Sequence, residues 1–448
     1  MPARWPRLAY STALYGLAPL IWQRVWREQA LAHPRRERLG LIPHSSAGTS
    51  ADGLAERPVT WLHCASVGEV LAARPLIEAL VAARPGHQLV VTTMTATGAD
   101  RVQALADKLN TEGAGAIVSH HFVPLDFPGA ARRFVDRLAP VQAIFFETEL
   151  WPNLLAACRR RGVPVAVVNG RLSPRAFARY LKIRPLMAAA LANVDWLAAK
   201  SDEDAERFQA LGMAEANTAM VGSLKFDMCA SDEDLERSER LRTWLGERPT
   251  WVAGSTHPGE DEPLLAAHRR LLETHPEALL ILVPRHPQRF DEVAALCETQ
   301  GETQGMRVAR RSRDERPGPE TEVYLADTMG ELSTLYGAAD IAFVGGSLVP
   351  IGGHNLLEPA VLGVPVVTGP SLENFSDVAA TLREAGALTE VPDGEALAAT
   401  LAAFLDDPAA RDRLGEAGRR VVAANRGALS RTLDGLGRML EAKGVRAK

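Results

Sequence analysis

At 448 residues, 46% hydrophobic and 23% charged, the chain has material for about two cored domains and is too apolar to remain disordered. Its formal net charge of −5 excludes a general nucleic-acid binder, which would carry a strong basic excess. The four cysteines, Cys64, Cys158, Cys229 and Cys297, lie far apart with no C-x-x-C, which excludes a zinc knuckle or a disulfide frame and suits a reducing compartment.

Residues 1–43 differ from the rest. Positions 8–22 are largely apolar, preceded by Arg4 and Arg7 and followed by Arg24, Arg27, Arg35, Arg36 and Arg38, against only Glu28 and Glu37. A membrane span needs about 20 apolar residues, and this run is shorter. No A-x-A-like site marks a cleaved signal peptide. Trp5, Tyr10, Tyr15, Trp22 and Trp26 suit a headgroup boundary and the arginines suit anionic lipid. The segment is expected to be a retained membrane-interface helix, with a single span as second choice and an ordinary core helix as the plain alternative. Residues 45–56 read as a flexible connection.

From residue 59 strands and helices alternate. Strands are expected at 59–64, 89–93, 122–124, 141–146, 163–168, 196–199 and 219–221, with helices between them. Residues 232–248 are charged and read as a linker. A second set follows, with strands at 251–253, 278–283, 322–325, 341–344 and 364–368, a polar excursion at 300–319, and a last helix from 409. This alternation predicts an α/β chain of two Rossmann-like domains facing a central cleft, each a parallel sheet covered on both faces. The expected divisions are 1–43, 44–230, 231–420 and 421–448, the last a helix returning to the N-terminal domain.

The polar motifs cluster at expected strand ends, where such sheets bind ligands. Glu69 in ASVGE can serve as a general base if burial raises its pKa, but Ser66 and Glu69 also spell a capping box, and spacing alone leaves the two readings even. Ser66 and Gly68 join it as candidate contacts. Glu147 and Glu149 in ETELWPN follow a buried strand and can orient a polar acceptor or simply meet solvent. Arg171 in NGRLS and Lys225 in GSLKFD are cations for phosphate or carboxylate, if not ordinary surface charges.

In the second half Ser255, Thr256 and His257 sit before a helix as a phosphate site would, and Arg285 and His286 add positive charge. Met329, Gly330 and Glu331 open another helix. Gly353 leads into 354–358, expected to begin a helix, where His354, Asn355 and Glu358 of GGHNLLEP bring an amide and a carboxylate together, the latter suited to ribose hydroxyls; the plain alternative is a turn and a solvated helix residue. The loops suit a nucleotide. SDED at 201–204 and 231–234 could hold a metal through D-x-D, but acids at helix starts more simply cap them, so no metal site and no cofactor are expected.

The ordered set ASVGE, FFETELWPN, NGRLS, GSLKFD, GSTHPGE, PRHPQRF, DTMGEL and GGHNLLEP resembles the 3-deoxy-D-manno-octulosonic acid (Kdo) transferases of Gram-negative bacteria, from the amino-terminal segment to about residue 390. The resemblance implies a GT-B glycosyltransferase, inverting and metal-independent, that moves Kdo from CMP-Kdo onto the lipid A precursor at the cytoplasmic face of the inner membrane. It implies Glu69 as general base, Glu147 as a second acid, and nucleotide contacts at Arg285, Gly330, Glu331, Asn355 and Glu358. The expected partners are therefore CMP-Kdo, the lipid A precursor and inner-membrane lipids, and not nucleic acid. Two rivals stay open: a nucleotide-sugar epimerase of related architecture, and a non-catalytic membrane-bound nucleotide-binding scaffold.

Overall fold

The computed structural model describes residues 5–27, 35–43, 57–112, 117–228, 231–299 and 305–444. The expected connection at 45–56 lies outside them, as do Arg4, Glu28 and Cys229. The chain divides into two compact units, Met1–Asp227 with Gly427–Lys448, and Met228–Arg426.

The first unit is built on strands β1 (Val59–His63), β2 (Gln88–Thr93), β3 (Ile117–Phe122), β4 (Gln142–Phe146), β5 (Val165–Gly170), β6 (Trp196–Ala199) and β7 (Thr218–Met220). They form one sheet in the order β3-β2-β1-β4-β5-β6-β7, parallel throughout. Buried on both faces, β1, β4 and β5 need continuous apolar or small residues, which is why they were readable as apolar runs. One face packs Trp61, Phe134, Phe145 and Leu154; the other packs Leu62, Leu76, Ile144 and Phe146. The helix Ala428–Ala442, from the far end of the chain, inserts Ala428, Leu436, Met439 and Leu440 into that second face.

The second unit repeats the plan with β8 (Thr250–Thr256), β9 (Leu279–Pro284), β10 (Val308–Arg310), β11 (Val323–Leu325), β12 (Ile341–Val344), β13 (Val366–Thr368) and β14 (Leu388–Glu390). The order is β10-β11-β9-β8-β12-β13-β14, again parallel. Strand order reverses between β1 and β4 in the first sheet and between β8 and β12 in the second, where β11 also inserts between β10 and β9. Loops leaving neighbouring strands at such a reversal diverge and open a crevice.

Several expectations are corrected. Residues 232–245 are not a linker but the helix Asp232–Leu245, which buries Ser238, Leu241 and Leu245. The excursion at 300–319 contains β10 and a short helical turn, Arg311–Arg313, in its described part. The last helix is two, Pro408–Asn425 and Ala428–Ala442, broken at Gly427 with φ +91°. The N-terminal helix runs Trp5–Arg27, and no described helix is long and apolar enough to cross a membrane.

Candidate active site

In the first unit the loops after β1 and β4 carry the acids. Ser66 caps the helix Val67–Ala83: its Oγ accepts from Glu69 N–H at 3.3 Å and donates to Glu69 Oε1 at 3.3 Å. Ala65 N–H donates to Glu69 Oε2 at 2.8 Å. The capping geometry is therefore present, and it does not exhaust the residue. Burial first, then the charges of Glu149 and Glu147, push the Glu69 carboxyl up to about 8 despite those hydrogen bonds. One side chain is held in place as a cap and poised to exchange a proton near neutral pH. Gly68 is exposed, with only the Ser66 hydroxyl near the space a side chain would fill.

Glu149 behaves oppositely. Burial works to raise it, but the hydrogen bond and charge of His63 and the Trp151 indole overcome this and hold it below the usual carboxylate range. Trp151 Nε1 donates to Glu149 Oε2 at 2.7 Å, and His63 Nε2 lies 3.6 Å from the same oxygen. His63 is fully buried at the end of β1, its Nδ1 3.0 Å from Thr92 Oγ1. Nothing in the sequence marked it, because a histidine closing an apolar strand looks like any core residue. Glu147 takes φ +59°, a left-handed conformation strained for a non-glycine residue, immediately after β4. Thr148 Oγ1 donates to the Arg171 carbonyl, tying this loop to the one after β5. The half-buried Arg171 guanidinium has no ion-pair partner among the described residues. Lys225 lies in the short turn Leu224–Phe226, where its N–H donates to Ser223 Oγ at 3.4 Å.

In the second unit one buried carboxylate organises the site. Glu260 Oε2 accepts from His257 N–H at 2.9 Å and Gly346 N–H at 2.7 Å; its Oε1 accepts from Ser347 N–H and Leu348 N–H, both at 2.9 Å. It locks the loop after β8 to the glycine loop after β12. Gly345 must be glycine, since a Cβ would sit 2.7 Å from the Ser255 carbonyl. Ser255 itself has φ +59°, at a register shift between β8 and β9. Thr256 does not present its hydroxyl to a ligand: it is fully buried and donates to Asp261 Oδ1 at 2.6 Å, while Arg289 grips the other Asp261 oxygen.

Locked this way, three imidazoles meet. His257 Nε2 and His354 Nε2 are 2.8 Å apart with rings stacked at 5.0 Å, and His286 packs edge-on to His257 at 5.1 Å. A bond between two Nε2 atoms needs one donor and one acceptor, so at least one ring is neutral. Burial, opposed by Glu260 and reinforced by His286 and Arg285, lowers His257; burial with the neighbouring His257, Arg285 and His286 lowers His354 to about 4. Arg285 and His286 are exposed, and Arg285 has no ion-pair partner among the described residues. His354 and Asn355 precede the helix rather than begin it: the helix is Leu357–Leu362, and Asn355 Oδ1 accepts from Leu357 N–H at 3.2 Å. Asn355 Nδ2 also donates to Glu358 Oε1 at 3.3 Å. Burial raises Glu358, against that hydrogen bond and the charge of Arg285. Gly353 has φ +74° and packs beside Leu372.

The loop after β11 stands differently. The Arg311 guanidinium holds Glu331 from two nitrogens, at 2.7 and 2.5 Å, and keeps it below the usual carboxylate range. The Glu331 carboxylate is thus committed, while Met329 and Gly330 beside it are exposed. Both SDED stretches are caps: Ser201 Oγ accepts from Asp204 N–H and Ser231 Oγ from Asp234 N–H. Among the described residues no three His, Cys, Asp or Glu side chains are placed to hold a metal ion.

Comparison with known proteins adds the following. Residues 33–228 match the family "3-Deoxy-D-manno-octulosonic-acid transferase (kdotransferase)", and 248–421 match "Glycosyl transferases group 1". A 3-deoxy-D-manno-octulosonic acid transferase of Haemophilus influenzae is 42% identical over 383 residues, 85% of this chain and 87% of that protein. One of Bordetella pertussis is 40% identical over 440 residues, 96% of this chain and 98% of that protein. A UDP-GlcNAc 2-epimerase from Neisseria meningitidis, solved with UDP-GlcNAc, superposes with a TM-score of 0.55 at 11% identity, covering 85% of this chain and 100% of that one. The last is a likeness of fold: two parallel-sheet α/β units of the GT-B kind.

Proposed function

The chain belongs to the 3-deoxy-D-manno-octulosonic acid (Kdo) transferase family of glycosyltransferases, and from that premise we propose that it transfers Kdo from CMP-Kdo to the lipid A precursor, inverting the sugar and using no metal. The observation that carries the reading is Glu69, a carboxyl pushed up to about 8 at the strand-order reversal of the first unit. In the proposed step Glu69 takes the proton of the acceptor hydroxyl, whose oxygen bonds to the Kdo anomeric carbon. The bond from that carbon to the CMP phosphate oxygen breaks, and CMP leaves with the electron pair. Glu147 and Glu149 set the field around Glu69. Arg285, His257, His286 and His354 are the groups for the departing phosphate, and Asn355 with Glu358 for the ribose. Because the Glu331 carboxylate is held by Arg311, the nucleotide contact at that loop falls to the Met329–Gly330 backbone. Arg171 and Lys225 are candidates for the Kdo carboxylate.

The same reading puts the enzyme at the cytoplasmic face of the inner membrane, where a lipid acceptor is embedded, with the N-terminal helix at the interface. The epimerase likeness is one of fold alone and gives no reason for such a helix. The test supplies CMP-Kdo, generated in place, and tetra-acyl lipid A precursor, and reads product masses. Wild type is expected to add one or more Kdo increments; Glu69→Ala is expected to add none while still binding CMP. Turnover by Glu69→Ala would remove Glu69 as base, and folded wild type that adds no Kdo would end the assignment.

A further inference from the structure

The N-terminal helix Trp5–Arg27 rests on the first unit along one narrow stripe. Pro6, Ser11 and Val25 are buried; Ser11 Oγ donates to Asn153 Oδ1 at 3.1 Å, and the Tyr15 ring packs 5.2 Å from Phe127. The opposite face is uncovered and apolar: Trp5, Leu8 and Leu20 are 62–64% exposed, with Tyr15 and Leu17, 57% and 51% exposed, on its two flanks. No residue from Leu8 to Gln23 carries a charge, which leaves about 24 Å of helix with no ionic group facing outward.

Between this face and the docked stripe opens a cavity of about 700 Å³, to which the helix contributes Arg7, Leu8 and Ser11. Arg132 reaches it from the helix Pro128–Leu138, and Asn153, Arg159 and Arg160 from the helix Pro152–Arg161. No aspartate or glutamate lines it. All four arginines have neighbours: Arg159 lies 3.5 Å from Asp195, Arg160 2.6 Å from Asp136, Arg132 Nε donates to the Pro128 carbonyl, and the charge of Arg7 acts on the buried Asp126 carboxyl. Arg159, Arg160 and Arg132 each use one donor nitrogen for this, and a guanidinium has five N–H groups, so donors remain for an anion.

An arginine-lined hollow at the edge of an uncharged apolar face matches one chemistry, a phosphate joined to acyl chains. We propose that this cavity seats the headgroup phosphate of an anionic bilayer phospholipid while Trp5, Leu8 and Leu20 enter the acyl boundary. The helix then lies in the interface as a docked part of the enzyme, its orientation fixed by the phosphate. The inference deepens the membrane reading above. It is measured by binding without nucleotide sugar, so its failure and a failure of transfer are seen separately.

The full-length chain is titrated with vesicles of phosphatidylcholine, alone or doped with phosphatidylglycerol. Wild type is expected to prefer the doped vesicles, and Arg7→Gln/Arg132→Gln to bind them roughly tenfold to thirtyfold more weakly, with binding to plain vesicles retained. Removing the same charge elsewhere, as Arg101→Gln/Lys108→Gln, is expected to change binding less than threefold or so. Should the double variant melt early, Arg132→Gln alone, at an exposed position, carries the test. Undiminished binding by the cavity variant, or an equal loss in the control pair, overturns the site in favour of diffuse attraction. Release from doped vesicles by inorganic phosphate at equal phosphate concentration overturns it in favour of a free-anion site.

Discussion

Ionising Glu69 means charging a buried carboxyl next to Glu149, which is itself held ionised by His63 and Trp151. The proton taken from an acceptor must go to the ionised form, so kcat/KM is expected to rise as pH climbs through about 8. At pH 7 roughly a tenth of Glu69 is ionised in the free enzyme. Glu149→Gln removes one of the charges that raise Glu69 and is expected to move the rising limb toward acid; an unmoved limb would detach the profile from Glu69. The folded pKa lies above the unfolded carboxyl value, so stability present at acid pH is lost as pH rises toward and through 8. Glu69→Gln, which keeps an acceptor for Ala65 N–H, is therefore expected to unfold at a higher denaturant concentration than wild type at pH 9 and at about the same concentration at pH 4. The sequence showed Glu69 as both cap and candidate base, and spacing could not weigh them. What raises its pKa arrives from β4, far along the chain, and no local pattern reports desolvation.

Loops and helices depend on partners in the same way. Glu260 appears in the sequence as one more acid before a helix, but its four backbone donors come from His257 and from the glycine loop after β12. A carboxylate offers two oxygens with four lone-pair sites; an amide would turn an NH₂ toward N–H groups that need acceptors. Glu260→Gln is expected to lose roughly 3 kcal/mol of stability by denaturant titration of the second unit, and to weaken CMP binding because the His257–His354 pair loses its support. Wild-type affinity for CMP in that variant would show that the loop lock does not serve the ligand. The strands were readable because doubly buried parallel strands are continuous apolar runs. The helix Asp232–Leu245 was not, because only Ser238, Leu241 and Leu245 of its 14 residues are buried and eight of the other eleven are charged. The same limit hid β10, three residues long with only its middle residue buried, which brings Arg311 to Glu331. The helix start at Leu357 rather than His354 follows from Asn355, whose side chain accepts the Leu357 N–H.

At the scale of the molecule, the chain passes from the first unit to the second at Asp227–Met228 and returns at Arg426–Gly427. Hydrogen bonds to Asp227 and Val221 fix the return. Asp227 accepts from Gly427 N–H at 2.6 Å and from Leu429 N–H at 2.5 Å, and Arg431 donates to the Val221 carbonyl. Beyond them Ala428, Leu436, Met439 and Leu440 complete a core face that otherwise ends in Leu62, Ile144 and Phe146. Gly435 can only be glycine there, because a Cβ would press into the Trp196 ring. Burying such side chains contributes about 1.5–3 kcal/mol apiece, so losing three large ones removes an amount comparable to a domain's whole stability. The second unit, by contrast, is one uninterrupted run. Residues 228–426 expressed alone are therefore expected to melt cooperatively and bind CMP, whereas 1–227 alone is expected to be poorly folded. Adding a peptide of residues 427–448 to 1–227 is expected to restore a cooperative transition, read by near-ultraviolet circular dichroism and resistance to limited proteolysis. A stable, protease-resistant 1–227 would mean that the C-terminal helix decorates the first unit rather than closing its core.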